Sequence, residues 1–302
     1  MDRKLALVLV VVSAACFGTL GILTRFMYAA GVGPLALLTW RFAAASLLMA
    51  AFQLVRDRRS LLVTARDLGR YSLLALTGYG AASLCYFFAL PLVGVSVTTV
   101  LLYTYPAIVA LIGWLFLGER FAWPRLFAIV FTFAGCALVA RVFEARAAVS
   151  PLGVLLGLGA GAGYAVFNVL SFRFMTRRPR IVLMAYTFGI SAIAIGIAAV
   201  VTKRSLSVAS WTPAVWGLLL AIVLVPTFAA VVLYLEGIRR LGAAQAAIIS
   251  TFEPLFAIAL SAAFLAERLS ISQWVGAAVV LGGVVMSEWG SAGVTVEEAA
   301  AL

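Results

Sequence analysis

Two stretches of equal length, PAIVALIGWLFLGER at 106–120 and PLFAIALSAAFLAER at 254–268, decide the fold of this 302-residue chain. Each begins with proline, continues through an apolar run and ends in Glu-Arg, and the two lie 148 positions apart. The same offset relates Arg25-Phe26-Met27 to Arg173-Phe174-Met175, Tyr86 to Tyr234, Gly94 to Gly242 and Gly135 to Gly283. A constant offset over this distance indicates a duplicated unit.

The apolar content of the chain predicts a membrane protein. Hydrophobic residues make up 65% of the sequence and charged residues 11%, whereas soluble domains contain about 45–50% and about 25%. Uncharged stretches of about 20 residues, the length that crosses a bilayer core, recur from end to end. The net charge of +11 lies mainly in short loops between apolar segments. There it sets orientation in the bilayer and does not indicate a nucleic-acid partner.

Apolar runs broken by glycine, proline and charge predict an all-α integral membrane protein with ten transmembrane helices. The predicted spans are 5–28, 34–55, 69–90, 93–117, 121–141, 152–174, 181–201, 213–236, 243–265 and 272–288. Basic residues ahead of the first apolar run resemble a cleavable signal. The run continues to Tyr28 and its end takes part in the repeat, so a first transmembrane helix is favoured. Residues 291–302 are predicted to form a flexible tail.

Each repeat holds five spans, an odd number, so the second copy enters the membrane inverted relative to the first. We expect one repeat over 1–143 and an inverted repeat over 144–290. Alternate loops carry fifteen Lys and Arg on the side of the N-terminus against five or six on the other. The positive-inside rule then places both termini in the cytoplasm. Inverted repeats are typical of secondary transporters that work by alternating access.

The residue types that common catalytic and metal sites need are scarce. The sequence has no His, and its only Asp residues, Asp2, Asp57 and Asp67, lie outside the predicted spans. This excludes Ser-His-Asp and Cys-His catalysis, HExxH zinc sites and histidine proton relays. The three cysteines are widely spaced within apolar segments and indicate no disulfide framework. We therefore predict no enzymatic activity, no metal site and no cofactor.

Two prolines at repeat-related positions predict broken helices. Pro106 and Pro254 lack an N–H and disturb the bonds to the carbonyls four residues earlier, those of Leu102 and Ser250. Protein groups or cavity water must satisfy the freed backbone. Helices broken at matching positions of two halves point to a transport site near the bilayer midplane. The alternative is a kink kept for packing.

Few charged residues fall inside the predicted spans, where each is costly unless paired or hydrated. Glu253 directly precedes Pro254. It either lies in a transport pathway, contacting a substrate ammonium or exchanging a proton, or is a buried group that shapes span 9. Arg41 in span 2 either meets a substrate carboxylate or extends to the outer interface, and we expect the latter. Glu236, close to two arginines, is interpreted as part of an interfacial ion pair.

Aromatic and polar side chains recur at i, i+4 and i+7 in three spans, which places each set on one helix face. The sets are Tyr79, Ser83 and Tyr86; Thr99, Tyr103 and Pro106; and Tyr164, Asn168 and Ser171. In lipid such faces turn inward, to join helices or to line a cavity. An aromatic wall with a few hydroxyls suits an amphiphile with an apolar or aromatic side chain. The candidate substrate-binding residues are Tyr79, Ser83, Tyr86, Thr99, Tyr103, Tyr164, Asn168, Ser250 and Glu253, with Pro106 and Pro254 as candidate gating positions.

With these motifs the chain resembles the EamA-type permeases of the drug/metabolite transporter superfamily. The resemblance is carried by Pro106 with Leu117-Gly118-Glu119-Arg120, by Glu253-Pro254 with Leu265-Ala266-Glu267-Arg268, and by Gly135 and Gly283. Ala266 departs from the pattern, standing where the first copy has Gly118. Within the superfamily the chain is most similar to the YddG-type exporters of aromatic amino acids. We expect Glu119 and Glu267 to hydrogen-bond the start of the helix that follows each of them.

The resemblance implies amino acid efflux through a central cavity drawn from spans such as 1, 3, 4, 6, 8 and 9. We therefore expect an exporter of aromatic and other hydrophobic amino acids in a bacterial inner membrane, with the lipid bilayer and the substrate as its partners. Nothing in the sequence requires more than a monomer. The open alternatives are an exporter of another small metabolite or drug-like cation, and a passive channel.

Overall fold

The computed structural model describes residues 3–116, 127, 130–132, 134–136, 138, 150–174, 179–241, 249–250 and 252–291. Its α-helices are α1 (Arg3–Ala29), α2 (Pro34–Asp57), α3 (Ala65–Leu73), α4 (Gly80–Leu102), α5 (Tyr105–Phe116), α6 (Pro151–Arg173), α7 (Arg180–Val201), α8 (Pro213–Ile222), α9 (Ala230–Leu241), α10 (Phe252–Leu265) and α11 (Ile271–Ser291). A 3-10 helix spans Arg58–Leu61, and π-helical segments span Leu74–Tyr79 and Val223–Ala229. None of these ranges contains a β-strand.

Six helical runs among the described residues are long and apolar enough to cross a membrane. They are Lys4–Ala29, Pro34–Leu61, Ala65–Leu102, Pro151–Ser171, Arg180–Val201 and Pro213–Tyr234; Phe252–Leu265 and Ile271–Gly283 are shorter apolar helices. The prediction of an all-α, multi-pass membrane protein is confirmed at this level. Most of the fifth predicted span, the start of the ninth, Glu119 and the predicted tail beyond Ser291 lie outside the described residues.

A single glycine, with no loop, joins predicted spans 3 and 4. The helical run from Ala65 continues to Leu102, and within α4 only Gly94 leaves helical conformation, at φ 80° and ψ 171°. Glycine reaches a positive φ without the steric penalty that a Cβ brings. The predicted boundary between residues 90 and 93 is therefore wrong by a few residues. Pro91 remains inside the helix, and the turn falls at the glycine.

Two π-helical segments interrupt the helices at repeat-related positions. The first starts at Leu74 and the second at Val223, 149 positions later, which differs by one from the sequence offset. A π-helix accommodates an extra residue in the turn, and such turns are frequent at functional sites. Tyr79 closes the first segment and Thr227 lies inside the second, and these two residues are related by the offset of 148. The duplication therefore extends to an irregularity of the backbone.

The two halves of the sequence pack against each other through several helix pairs. The most extensive helix pairs are α4 with α6 and α2 with α7, and α1 packs on both α9 and α10. Glycines allow two of these approaches. A Cβ at Gly18 of α1 would lie 2.9 Å from Cβ of Phe256, and one at Gly163 of α6 would lie 2.9 Å from the backbone N of Ala82. Small residues at helix crossings favour close backbone packing in lipid.

Candidate functional site

A buried tyrosine from the first half meets the start of α10 in the second half. Tyr103 follows the last residue of α4, and its side chain is 3% exposed. Its Oη donates toward the carbonyl O of Ser250 at 2.8 Å and lies 3.0 Å from Oε2 of Glu253. The structure thus brings together three residues that sequence analysis singled out in two different repeats.

Both predicted proline positions lie at the start of a helix. α4 ends at Leu102 and α5 begins at Tyr105, so the chain leaves helical conformation just before Pro106. Pro254 is the third residue of α10 and is buried. A proline in the first turn of a helix removes N–H groups that have no partner within the helix. The chain leaves helical conformation before Pro106 as predicted, whereas Thr251, where a break before Pro254 would lie, is outside the described residues.

The carbonyl groups that prolines leave without a helical partner are taken up by hydroxyls. Tyr103 Oη donates to Ser250 O, four residues before Pro254, at 2.8 Å. Hydroxyls compensate for two further prolines in the same way. Tyr28 Oη donates to Phe87 O, four residues before Pro91, at 2.8 Å. Thr227 Oγ1 donates to Ile222 O, four residues before Pro226, also at 2.8 Å. In a bilayer, polar backbone must be satisfied inside the protein, and here hydroxyls supply the donors.

A continuous series of aromatic rings leads from α7 to Tyr103. The consecutive ring centroids are 5.1 Å apart from Phe188 to Tyr79, 6.2 Å from Tyr79 to Tyr164, 4.8 Å from Tyr164 to Tyr105 and 5.8 Å from Tyr105 to Tyr103. Aromatic rings at such distances attract one another in tilted and edge-to-face arrangements. The series therefore forms one wall, which ends at the carboxyl group of Glu253.

Two further rings widen this wall beside Tyr79. Phe42 lies 5.8 Å and Phe167 lies 5.3 Å from the Tyr79 ring, between centroids. Phe42 is also stacked on Phe188, with centroids 5.2 Å apart and planes at 8°. Tyr79 is thus the ring at which residues of α2, α6 and α7 converge.

Arg41 lies inside the bundle, and the expectation that it extends to the outer interface is wrong. Its side chain is 1% exposed, and Nε donates to Oγ1 of Thr227 at 3.0 Å. The guanidinium carbon lies 5.1 Å from the ring centroid of Phe42 and 5.3 Å from that of Phe87. Cation–π contacts and a hydroxyl acceptor hold the side chain inward, because the position lies on the helix face that packs against the second half of the chain.

Two tyrosines lie near both Arg41 and Glu253. Tyr79 and Tyr86 are each close enough to the guanidinium and to the carboxyl group to interact with them electrostatically. Tyr86 Oη also lies 3.1 Å from Oγ1 of Thr99, so these two candidate residues contact each other. The site therefore has a basic and an acidic end joined by phenol groups.

The remaining candidates lie on the same helices and differ in what their polar groups contact. Ser83 is buried in α4, between Tyr79 and Tyr86 in the chain. Asn168 Nδ2 donates to the carbonyl O of Tyr164, four residues earlier in α6, at 2.8 Å. The side-chain amide of Asn168 thus bonds within its own helix, whereas the tyrosines face other helices.

Glu267 stabilises a helix start, but in the opposite half of the chain. Its Oε1 accepts from Val95 N at 2.9 Å, and its Oε2 accepts from the N and Oγ of Ser96 at 3.1 and 2.9 Å. These are the first N–H groups after the turn at Gly94, where a carboxylate is favoured by the helix dipole. The expectation that Glu267 bonds the next helix is therefore wrong.

The reason lies in the residues that follow Glu267. The start of α11 has its own capping box, in which Ser270 Oγ accepts from Gln273 N at 3.4 Å and Gln273 Oε1 accepts from Ser270 N at 3.0 Å. These reciprocal bonds supply partners at the N-terminus of α11. The carboxylate of Glu267 is left to bond across the two halves.

Sequence reasoning missed the position of Arg41 and the rings of Phe42, Tyr105 and Phe188. The rings of Phe42 and Phe188 gave no signal, because an apolar ring in a membrane span can face either lipid or the interior of the bundle. For Arg41 a signal was available. The repeat-related position is Gly189. A long, charged side chain at a position where the other repeat has glycine indicates a role that the two halves do not share.

Comparisons with known proteins agree with this architecture. The model of the EamA-like transporter family matches residues 4–141 and again 151–289. The uncharacterized transporter YwfM of Bacillus subtilis is 32% identical over 204 residues, which cover 67% of each chain. The uncharacterized transporter YcbK of the same organism is 28% identical over 281 residues, covering 89% of this chain and 88% of its own.

A more distant relative and a solved structure extend the comparison. An uncharacterized transporter of Archaeoglobus fulgidus is 27% identical over 225 residues, covering 74% of this chain and 78% of its own. One solved crystal structure superposes with a TM-score of 0.66 at 18% identity, over 95% of this chain and 97% of that one. The structural likeness supports the fold alone.

Proposed function

Because the chain belongs to the EamA-like transporter family, we propose that it is a secondary transporter that exports aromatic and other hydrophobic amino acids. Membership in the family makes it a multi-pass membrane transporter of small molecules and not an enzyme. What we propose beyond family membership is the substrate class, the outward direction of transport and the mechanism of a secondary transporter. Its setting is a bacterial inner membrane.

The observation that carries the choice of cargo is the aromatic wall that ends at Glu253. The rings from Phe188 to Tyr103 offer an apolar surface for a hydrophobic or aromatic side chain. The carboxyl group of Glu253, next to Tyr103 Oη at 3.0 Å, offers an acceptor for an ammonium. An amino acid with an aromatic side chain presents both groups.

The proposed architecture has ten spans in two inverted repeats, 1–143 and 144–290, followed by a tail over 291–302, with both termini in the cytoplasm. It is supported by the two consecutive family matches and by the repeat-related packing of α2 on α7. In this arrangement the start of α5 at Pro106 and the start of α10 at Pro254 are the gating positions. Two halves that exchange conformations expose the site alternately to each side of the membrane.

The same wall and carboxyl group would also suit a drug-like cation with an aromatic ring, which is the leading alternative within the transporter class. A passive channel is the alternative from another class. Neither alternative makes use of the basic end of the site.

Flux in proteoliposomes distinguishes these functions. Vesicles containing the purified protein are loaded with labelled phenylalanine, leucine or a quaternary ammonium compound, and exchange is followed with and without a pH gradient. Saturable phenylalanine counterflow is expected from an amino acid carrier. The absence of amino acid flux in both directions would overturn the cargo. Flux of the quaternary compound alone would establish the cation exporter, and flux without saturation or counterflow would establish a channel.

A further inference from the structure

Arg41 is a buried cation for which the described residues provide no carboxylate partner. Its side chain is 1% exposed, and the salt bridge recorded among the described residues, between Arg70 and Asp67, does not involve it. A cation in a membrane interior is normally paired with an anion or marks the pathway of a substrate or ion. The buried charge of Arg41 therefore indicates that an anionic group binds there.

The groups that do contact Arg41 are all neutral. A guanidinium has five N–H donors, and the hydrogen bond that Nε makes to Thr227 Oγ1 uses one of them. The Thr227 hydroxyl gives its own hydrogen to Ile222 O, so it serves Arg41 only as an acceptor. The rings of Phe42 and Phe87 and the hydroxyls of Tyr79, Tyr86 and Tyr28 also lie near the guanidinium. Such a shell orients the cation and leaves its positive charge uncancelled.

The charge is also asymmetric with respect to the repeat. The position equivalent to Arg41 is Gly189, and the position equivalent to Glu253 is Tyr105. A residue kept for the packing of two matching halves would be expected in both copies, as Glu119 and Glu267 are. Arg41 and Glu253 each occur in one repeat only. A cation and an acid placed in this way suit a ligand that carries a negative charge at one end and a positive charge at the other.

We propose that Arg41 binds the carboxylate of the transported molecule, while the aromatic wall receives its side chain and Glu253 its ammonium group. This inference rests on the proposed function and deepens it, because it restricts the cargo to compounds that carry a carboxylate. The planar guanidinium matches a carboxylate through two parallel hydrogen bonds. In the described conformation aromatic rings close over Arg41, and the site opens in another part of the transport cycle.

Analogues of phenylalanine test the assignment on the wild-type protein. Phenylalanine, its methyl ester, 3-phenylpropionate and phenethylamine are compared as inhibitors of labelled phenylalanine counterflow. The free acid is expected to compete at least tenfold better than the methyl ester, which has no carboxylate, and better than phenethylamine. Equal competition by the acid and the ester would overturn the inference while leaving amino acid transport intact.

Variants then connect this preference to Arg41. Arg41→Gln is expected to abolish the tenfold preference for the acid over the ester, and Arg41→Lys to retain part of it. Arg204→Gln is the matched control, since Arg204 is exposed in the loop after α7. A preference that survives in a folded Arg41→Gln protein would overturn the inference. If Arg41→Gln does not fold, Arg41→Lys decides, because an undiminished preference in that variant argues against two-bond recognition.

A binding measurement separates this inference from the proposed function. The thermal unfolding of the purified protein is followed with and without 3-phenylpropionate, which needs no transport. Stabilisation of the wild type, a smaller stabilisation of Arg41→Lys and none of Arg41→Gln would support a carboxylate site even if phenylalanine is not transported. No stabilisation of the wild type by either 3-phenylpropionate or phenylalanine would overturn it.

Discussion

Tyr103 and Glu253, 150 residues apart in the chain, meet through a phenol Oη and a carboxyl Oε2 that are 3.0 Å apart. The same Oη is 2.8 Å from the carbonyl O of Ser250. A phenol has one hydrogen, whereas a carbonyl and an ionised carboxylate are both acceptors. Both contacts are complete hydrogen bonds only when the carboxyl group of Glu253 carries a proton. The geometry of this conformation thus corresponds to a neutral Glu253.

Removing the Tyr103 hydroxyl should destabilise the start of α10. Tyr103→Phe removes the hydroxyl that donates to Ser250 O, and a typical hydrogen bond contributes about 0.5–1.5 kcal/mol to stability. We expect a lower midpoint of thermal unfolding in detergent. The matched control is Tyr71→Phe, because the buried Tyr71 hydroxyl has no hydrogen-bond partner within the described residues. Equal midpoints for Tyr103→Phe and the control would contradict the proposed role of the bond.

Replacing Glu253 by an amide should separate folding from transport. Gln preserves the volume of the neutral carboxyl group and can still contact Tyr103, so the unfolding midpoint should remain near that of the wild type. Without a group that can ionise, phenylalanine flux should fall at least about tenfold, equivalent to about 1.4 kcal/mol. Proteoliposome flux checks this, with Glu236→Gln in α9 as the control. Unchanged flux in Glu253→Gln would remove any essential role for this carboxyl group.

A methyl group at Gly94 should break the contact between the two halves. Gly94→Ala would place Cβ 2.8 Å from Oε1 of Glu267 at a φ of 80°. The φ of 80° with a ψ of 171° lies in a region essentially restricted to glycine, where a residue with a Cβ costs about 1–3 kcal/mol, and displacement of the carboxylate adds to this. We expect a clear loss of thermal stability. Gly217→Ala is the control, since a Cβ there meets nothing within 4 Å and helix propensity favours alanine by about 1 kcal/mol.

The contribution of Glu267 itself follows from the same contact. Glu267→Ala removes the acceptors of three hydrogen bonds to Val95 and Ser96, and loss of an N-terminal cap costs about 0.5–2 kcal/mol. The thermal midpoint should fall, and Glu267→Gln, which keeps one acceptor oxygen, should show a smaller change. In Gly94→Ala the further cost of Glu267→Ala should be reduced. Additive losses in the double variant would argue against a direct coupling.

The preference for aromatic cargo should depend on Tyr79. Its ring lies within 6.2 Å of four other rings, and each aromatic pair contributes about 0.5–1.5 kcal/mol beyond burial. Tyr79→Leu should weaken the apparent affinity for phenylalanine several-fold and leave that for leucine less affected, whereas Tyr79→Phe should retain the preference. Counterflow with both substrates measures this ratio. An unchanged ratio in Tyr79→Leu would exclude the ring from the site.

Much of the fold follows from periodicity and duplication in the sequence. Apolar length predicts the long helices, and the offset of 148 predicts the duplication and the correspondence of Pro106 with Pro254. The turn at Gly94 was misplaced because Pro91 is the stronger local breaker. A tertiary contact, from Tyr28 Oη to the freed carbonyl of Phe87, keeps Pro91 inside the helix.

The site was less predictable because its contacts join distant parts of the chain. The i, i+4, i+7 pattern identified Tyr79 and Tyr86, since side chains on one helix face stay together in any packing. The placement of Arg41 against Thr227 depends on the packing of α2 on the second half, which no local pattern shows. The same holds for Glu267, whose partners lie 171 and 172 positions away.

The paired π-helical segments have a mechanical consequence. Each holds one residue more than an α-helical turn, and an α-helix rotates by about 100° per residue. If that surplus residue moved along its helix, Tyr79 and Thr227 would turn away from the guanidinium of Arg41 without unfolding either helix. The two segments lie at matching places, 149 positions apart. The same rotation of a helix about its axis is therefore open to both halves of the protein.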